Sequence, residues 1–158
     1  MNSLSELIGE ICKVVLPIKH EYYLGDEQSS IAVCTLGDIT LLSKLKQSGI
    51  LNDVSIIGRL FTENKGIDSL LTFVFNNKKI KKILVCGKDV WGHKSGHSLF
   101  SLYKYGLDQN RRIINSKSPE PILTVSDEIV NHFQKNIELI DLINENNLEI
   151  IIEQIKKV

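Results

Sequence analysis

At 158 residues and 42% hydrophobic content, the chain has the length of one domain and enough apolar side chains for one sizeable core. Nineteen basic residues balance nineteen acidic ones, so the field that would draw the protein to nucleic acid or anionic lipid is missing, and nucleic acid is not an expected partner. The three cysteines, Cys12, Cys34 and Cys86, are odd in number and lie in apolar stretches, the pattern of buried free thiols in a reducing compartment; cytoplasm is the expected location. No apolar run approaches the roughly 18 residues that span a bilayer, and acidic Glu6 and Glu10 do not suit a secretory leader. No membrane anchor is expected.

In chain order, Ser3 and Glu6 form a capping box ahead of Leu4, Leu7, Ile8, Ile11, Val14 and Val15, which recur at helical spacing up to Pro17 and predict a helix over residues 3–16. Ile31 to Leu36, Val54 to Ile57 and Ile83 to Cys86 are short apolar runs rich in β-branched residues, as expected of parallel strands covered on both faces. Between them, Ile39 to Ile50 and Lys65 to Phe75 have the length and spacing of crossover helices, giving β-α-β-α-β. A further helix is expected over Ser95 to Tyr105, a brief strand over Arg112 to Ile114, and an ordered loop over Asn115 to Thr124, which holds Pro119 and Pro121. Ser126 caps a long amphipathic segment through Ile143 with Ile129, Phe133, Ile137 and Ile140 on one face. A final helix is expected over 147–158, its lysines favourable to the helix dipole. With no repeat and no linker, the expectation is one domain over 1–158, with a core over 17–143.

Gly37, Gly58 and Gly87 follow the three strands at the edge where doubly wound sheets bind ligands, and glycine there lets a ligand approach the backbone. The same glycines also suit plain tight turns. The segment Cys86 to His97 concentrates two of the four histidines, the only tryptophan and three of the ten glycines. Two readings of this cluster stand open. His93 and His97, four residues apart, would share one face of a helix and form part of a zinc site with a third ligand, although no Glu stands beside either histidine as in a metalloprotease helix and no CxxC pair exists. Alternatively, one histidine is the axial ligand of a macrocyclic cofactor lying on the flanking glycines, its second ring nitrogen held by a carboxylate such as Asp89.

The run from Cys86-Gly87 through Gly92-His93-x-x-Gly96 resembles the signature of the corrinoid-binding A subunit (MtrA) of tetrahydromethanopterin S-methyltransferase. More of the pattern appears in register: Tyr22-x-x-Gly25-Asp26, Ala32-Val33-x-Thr35-Leu36-Gly37, Thr62-Glu63-Asn64-x-Gly66-Ile67, Gly106-x-Asp108, Arg112-Ile113-Ile114, Phe133-Gln134 and Glu138-x-x-Asp141-Leu142-Ile143. The resemblance covers about Pro17 to Ile143. It implies an α/β fold of modified Rossmann-like, three-layer type with a mainly parallel central sheet, in which His93 is the lower axial ligand of cobalt in cobalamin or a related corrinoid. It further implies a corrinoid pocket drawing on Thr35, Gly37, Leu60, Thr62, Glu63, Asn64, Gly92, Gly96, Ser116 and Pro121. The family's activity is methyl transfer from methyl-tetrahydromethanopterin to a thiol acceptor through Co(I) and methyl-Co(III), with separate methyl-donor and methyl-acceptor proteins completing turnover.

The sequence departs from that pattern in three places. The family's membrane anchor is not expected after this domain. A Gly-Ala-Lys-Gly-Ala-Ile-Pro type loop is replaced by Asn115 to Pro121, which has no glycine, and His97 stands where the family commonly has Gln, as a replacement hydrogen-bonding group. The alternatives to a methyl carrier are a corrinoid-free binding or regulatory module of the same fold and a zinc-dependent enzyme using His93 and His97. Of the remaining candidates, His20 and His132 read as surface groups, Lys78, Lys79, Lys81 and Lys82 as a solvated turn, and Cys86 as a packing residue.

Overall fold

The computed structural model of the chain describes residues 22–158. The helix expected over 3–16, together with Cys12 and His20, lies outside the described residues. The elements are β1 (Tyr22–Leu24), β2 (Ile31–Cys34), α1 (Ile39–Gln47), a 3-10 turn (Ile50–Asn52), β3 (Ile56–Gly58), α2 (Lys65–Asn76), β4 (Lys82–Gly87), α3 (Ser95–Tyr105), α4 (Asp127–Asn136), β5 (Glu138–Ile143) and α5 (Leu148–Lys157). Short polar side chains start the helices: Ser126, as the sequence predicts, accepts from the Ile129 amide at 3.4 Å, and Asp38 accepts from Leu41 at 2.9 Å and Asn147 from Glu149 and Ile150 at 3.0 and 3.2 Å.

One five-stranded sheet runs in the order β1-β3-β2-β4-β5, with β1 antiparallel to β3 and all other pairs parallel. Alternation along the strands divides the core. Ala32, Cys34, Ile83 and Val85 pack with Ile67, Leu71, Leu99, Leu102 and Phe133 of α2, α3 and α4 on one face. Val33, Ile57, Leu84 and Cys86 pack with Leu41, Leu45, Ile151 and Ile155 of α1 and α5 on the other. The result is the expected three-layer α/β arrangement. Burial pushes the Cys34 thiol up to about 12 and the Cys86 thiol higher still, consistent with packing rather than nucleophilic roles. Among the described residues no helix is long and apolar enough to cross a membrane.

Because β3 and β4 flank β2 on opposite sides, the strand order reverses at β2, and the crevice at its carboxyl end is where such folds take ligands. The loops after β2, β3 and β4 meet there. At the other end of the sheet, the Lys82 ammonium donates to the carbonyl of Val158 at 3.1 Å.

Three expected elements differ. The helix after Ser126 stops at Asn136; Ile137 is extended (φ −113°, ψ 133°) and Glu138–Ile143 is a strand paired in parallel with β4 over six residues. A short run of Leu and Ile fits helical and strand periods alike, and pairing with β4 decides the outcome. The strand expected over Arg112 to Ile114 is reduced to isolated bridges, Leu107 with Ile113 and Arg112 with Ile122, outside the sheet. The strand expected to reach Leu36 ends at Cys34, since Leu36 turns to a left-handed φ of 51°.

The layered core sets an expected cost for truncation. Leu84→Ala, fully buried on β4, should lower unfolding free energy by about 2–5 kcal/mol, whereas exposed Ile150→Ala on α5 should cost under about 1 kcal/mol. Urea denaturation followed by circular dichroism measures both.

Candidate functional site at the carboxyl edge of the sheet

The loop after β4 turns sharply at Gly87 (φ 77°), where a Cβ would stand 2.7 Å from the Thr35 carbonyl oxygen. Asp89 then organises the start of α3. Its Oδ1 accepts from the amides of Val90 (2.8 Å) and Gly96 (2.9 Å), and its Oδ2 accepts from the His97 amide (3.1 Å). A carboxylate on these amides is the favoured partner of a helix amino terminus. Lys94, the residue before the helix, has a left-handed φ of 48°. This break separates the two histidines: His93 lies in the loop and His97 in the first turn of α3, so they do not share the helix face that their spacing suggests.

His93 is buried, and its Nδ1 lies 2.7 Å from Oε2 of Glu63, which is itself 1% exposed. The carboxylate holding the histidine is therefore Glu63 from the loop after β3, not Asp89 as expected. The other Glu63 oxygen accepts from the Glu120 amide at 3.0 Å, so one carboxylate ties together the loops after β3 and β4 and the segment 115–121. Burial raises the Glu63 pKa, but hydrogen bonds from His93, its own amide and the Glu120 amide, with the charge of the imidazole, outweigh burial and leave it below the ordinary carboxylate range. His93 Nε2 is buried and has no hydrogen-bond partner among the described residues. Phe61 lies against the imidazole, ring centroids 5.3 Å apart and tilted by 57°, and the Arg59 guanidinium sits 5.2 Å from the Phe61 centroid while donating to the Gly37 carbonyl at 3.1 Å.

The remaining candidate residues occupy the same edge but are mostly structural there. Thr35 is fully buried and donates to the Gly58 carbonyl at 3.3 Å; Leu60 is in the core. Thr62 accepts from the Gly66 amide at 2.9 Å, and Asn64 caps α2 through Lys65 at 2.7 Å while donating to the Glu120 carbonyl at 3.3 Å. Gly92 is buried beside His93. Gly37 and Gly96 are filled by protein: a Cβ would meet Val90 Cγ2 at 2.9 Å at the former and Leu36 Cδ1 at 2.9 Å at the latter. Ser116 joins a hydroxyl cluster in which Ser98 Oγ lies 2.7 Å from Ser116 and 2.5 Å from Ser118, and Pro121 contributes a carbonyl to the Ile113 amide at 2.8 Å. These serines pin the glycine-free segment 115–121 onto α3; sequence reasoning missed Ser98 and Ser118, since neither one of the three serines of α3 nor a serine in a loop carries a signal by itself. Among the described residues no group of three or more His, Cys, Asp and Glu gathers where it could hold a metal ion, so His93 and His97 have no third ligand of these types for the zinc arrangement.

Glu63→Ala should destabilise the protein by about 1–3 kcal/mol by leaving buried donors unmatched, with Glu63→Gln milder. A depressed carboxyl pKa stabilises the fold above its unfolded value, near 4.3, and that contribution disappears as pH falls through the folded value. Thermal unfolding from pH 6 to pH 3 should therefore show a steeper acid loss in the unsubstituted chain than in Glu63→Gln.

Residues 13–158 match the family model MtrA, the A subunit of tetrahydromethanopterin S-methyltransferase. The chain is 33% identical over 141 residues to a protein from Methanosarcina barkeri that is provisionally named as the A subunit of a methyltransferase, Mtx; the match covers 89% of this chain and 68% of the relative. It is 32% identical over 137 residues to the second A subunit of tetrahydromethanopterin S-methyltransferase from Methanothermobacter marburgensis, covering 85% and 71%. Against the A subunit of the same enzyme from Methanohalophilus mahii the identity is 33% over 141 residues, and this chain spans 57% of that relative's length. The chain belongs to the MtrA family, that of the A subunit of tetrahydromethanopterin S-methyltransferase.

Proposed function

We propose that this chain is the corrinoid-carrying component of a methyltransferase system and that His93 would hold the cobalt through one ring nitrogen. The observation that carries this reading is the division of labour on the imidazole. With a carboxylate as acceptor, Nδ1 bears the proton and Nε2 keeps its lone pair; Nε2 has no other partner among the described residues. Metal-bound histidines are held in this way, the second nitrogen donating to a carboxylate that fixes the tautomer and raises the basicity of the ligating atom. The donor set fits a cofactor that brings its own equatorial ligands and asks the protein for one nitrogen.

When bound, the corrinoid supplies a cobalt centre that takes up and gives up a methyl group. Everything else falls to the chain. Glu63 orients His93 by accepting from Nδ1, and the Glu120 amide holds Glu63 in place. Asp89 and Lys94 fix the turn from which His93 projects. At 9% exposure the imidazole is largely covered, and a macrocycle would reach it only where neighbouring side chains give way. The methyl donor, by family membership a methylated pterin, and the thiol acceptor sit on partner proteins.

Purified protein should bind hydroxocobalamin at tens of micromolar, with displacement of the cofactor's own base from cobalt. In the Co(II) state, cobalamin labelled with ¹⁵N in that base should give an electron paramagnetic resonance triplet from the unlabelled protein nitrogen, and His93→Ala should abolish it. A triplet surviving in His93→Ala would move the assignment to another residue. No retained corrinoid after gel filtration would favour a corrinoid-free module of the same fold.

His97 tests the division of roles from the other side. Its backbone amide, not its ring, meets Asp89, so His97→Gln should leave hydroxocobalamin affinity within about threefold, a change under about 1 kcal/mol. Equilibrium spectroscopic titration provides the comparison.

A further inference from the structure

Three hydroxyls, of Ser98 on α3 and of Ser116 and Ser118 in the loop before α4, meet beside the turn that presents His93, and elimination places their protons. Each hydroxyl has one proton to give. That of Ser118 goes to the Lys94 carbonyl at 3.2 Å, which also accepts from the Ser98 amide at 3.0 Å. Ser98, 2.5 Å from Ser118, must then donate to Ser118, and Ser116, 2.7 Å from Ser98, must donate to Ser98. The Ser118 amide donates to Ser116 at 3.1 Å. The hydroxyls therefore form a chain with one direction, Ser116 to Ser98 to Ser118, ending on the residue that follows His93; bonds in such a series strengthen one another. Ser98 and Ser118 are buried, so removing either hydroxyl leaves its neighbours unmatched.

Two residues beyond Ser118, the Glu120 amide donates to Glu63 at 3.0 Å, and the Asn64 amide group donates to the Glu120 carbonyl at 3.3 Å. Ser95, three residues before Ser98 and so on the same side of α3, donates to the Leu60 carbonyl at 2.7 Å and holds the loop that carries Glu63. One helix thus anchors both segments that converge on Glu63. We infer that Ser98 and Ser118 are positioning residues for His93: by tying the segment 115–121 to the Lys94 turn, they hold Glu63 against the imidazole and keep the proton on Nδ1. The purpose of that fixed tautomer rests on the proposed role of His93 as a ligand, but the geometry and the test need no corrinoid.

The test uses the ligand-free, full-length chain labelled with ¹⁵N in histidine, at pH 8, above the ordinary imidazole range. Long-range ¹H–¹⁵N correlation spectra distinguish the protonated ring nitrogen from the bare one, and His93→Ala identifies the signals of His93 among the four histidines. The unsubstituted chain should carry the proton on Nδ1 of His93. Ser98→Ala and Ser118→Ala should each lower the ratio of the Nδ1–H to the Nε2–H tautomer by at least about threefold. Ser101→Ala removes another buried serine of α3, outside the hydroxyl chain, and should leave the ratio unchanged. Ser118→Ala lies in a loop and keeps the test open even if Ser98→Ala fails to fold, which circular dichroism shows. An unchanged ratio in the folded alanine variants of Ser98 and Ser118 would overturn the inference, as would an equal fall in Ser101→Ala. A native chain with the proton on Nε2 would overturn both this inference and the ligand role of His93. The expected fall in ratio, in a chain that retains no hydroxocobalamin, would support the inference and overturn only the carrier reading.

Discussion

The carboxyl edge of this protein depends on the buried contact between Glu63 and His93. Neither group is stable alone in a low-dielectric site: an unpaired carboxylate there costs several kcal/mol, and an imidazole facing it has its proton position fixed. The 2.7 Å contact meets both demands and joins loops that are 30 residues apart in sequence. The second oxygen of Glu63 extends the tie to the Glu120 amide, 57 residues along the chain from Glu63. Three segments that share no regular secondary structure are thereby held to one carboxylate, and the geometry of His93 follows from it.

The strands β2 and β4, the helices α2 and α3, and α5 are legible in the sequence because local signals agree with the global arrangement: unbroken β-branched runs, helical apolar spacing and polar caps. β5 is not, because the Leu and Ile of Glu138–Ile143 fit helical and strand periods alike, and only pairing with the edge of β4 distinguishes strand from helix. β1 escapes notice for a related reason, being three residues long and defined by its pairing with β3.

The site was legible in kind more than in detail. Position in the fold and the density of Gly, His and Trp after β4 single out the segment that carries His93, and the family resemblance singles out Glu63, its partner. The partner of His93 inferred from proximity in sequence, Asp89, is instead committed to the amino terminus of α3, where backbone amides outcompete a side chain four residues away. The glycines have a structural reason of their own. Gly37 and Gly96 leave room for Val90 and Leu36, contacts between residues far apart in the chain that the sequence does not display.

The position of Val158 has an architectural consequence. Its carbonyl meets Lys82 at the amino end of β4, one full strand, roughly 20 Å, from the edge that holds His93. Whatever is joined after that residue, whether an affinity handle, a fluorescent protein or a surface linker, departs from the pole opposite the histidine. Immobilised by that pole, the protein would present its carboxyl edge outward, unobstructed, which makes a carboxy-terminal tether the orientation of choice for surface-based binding measurements.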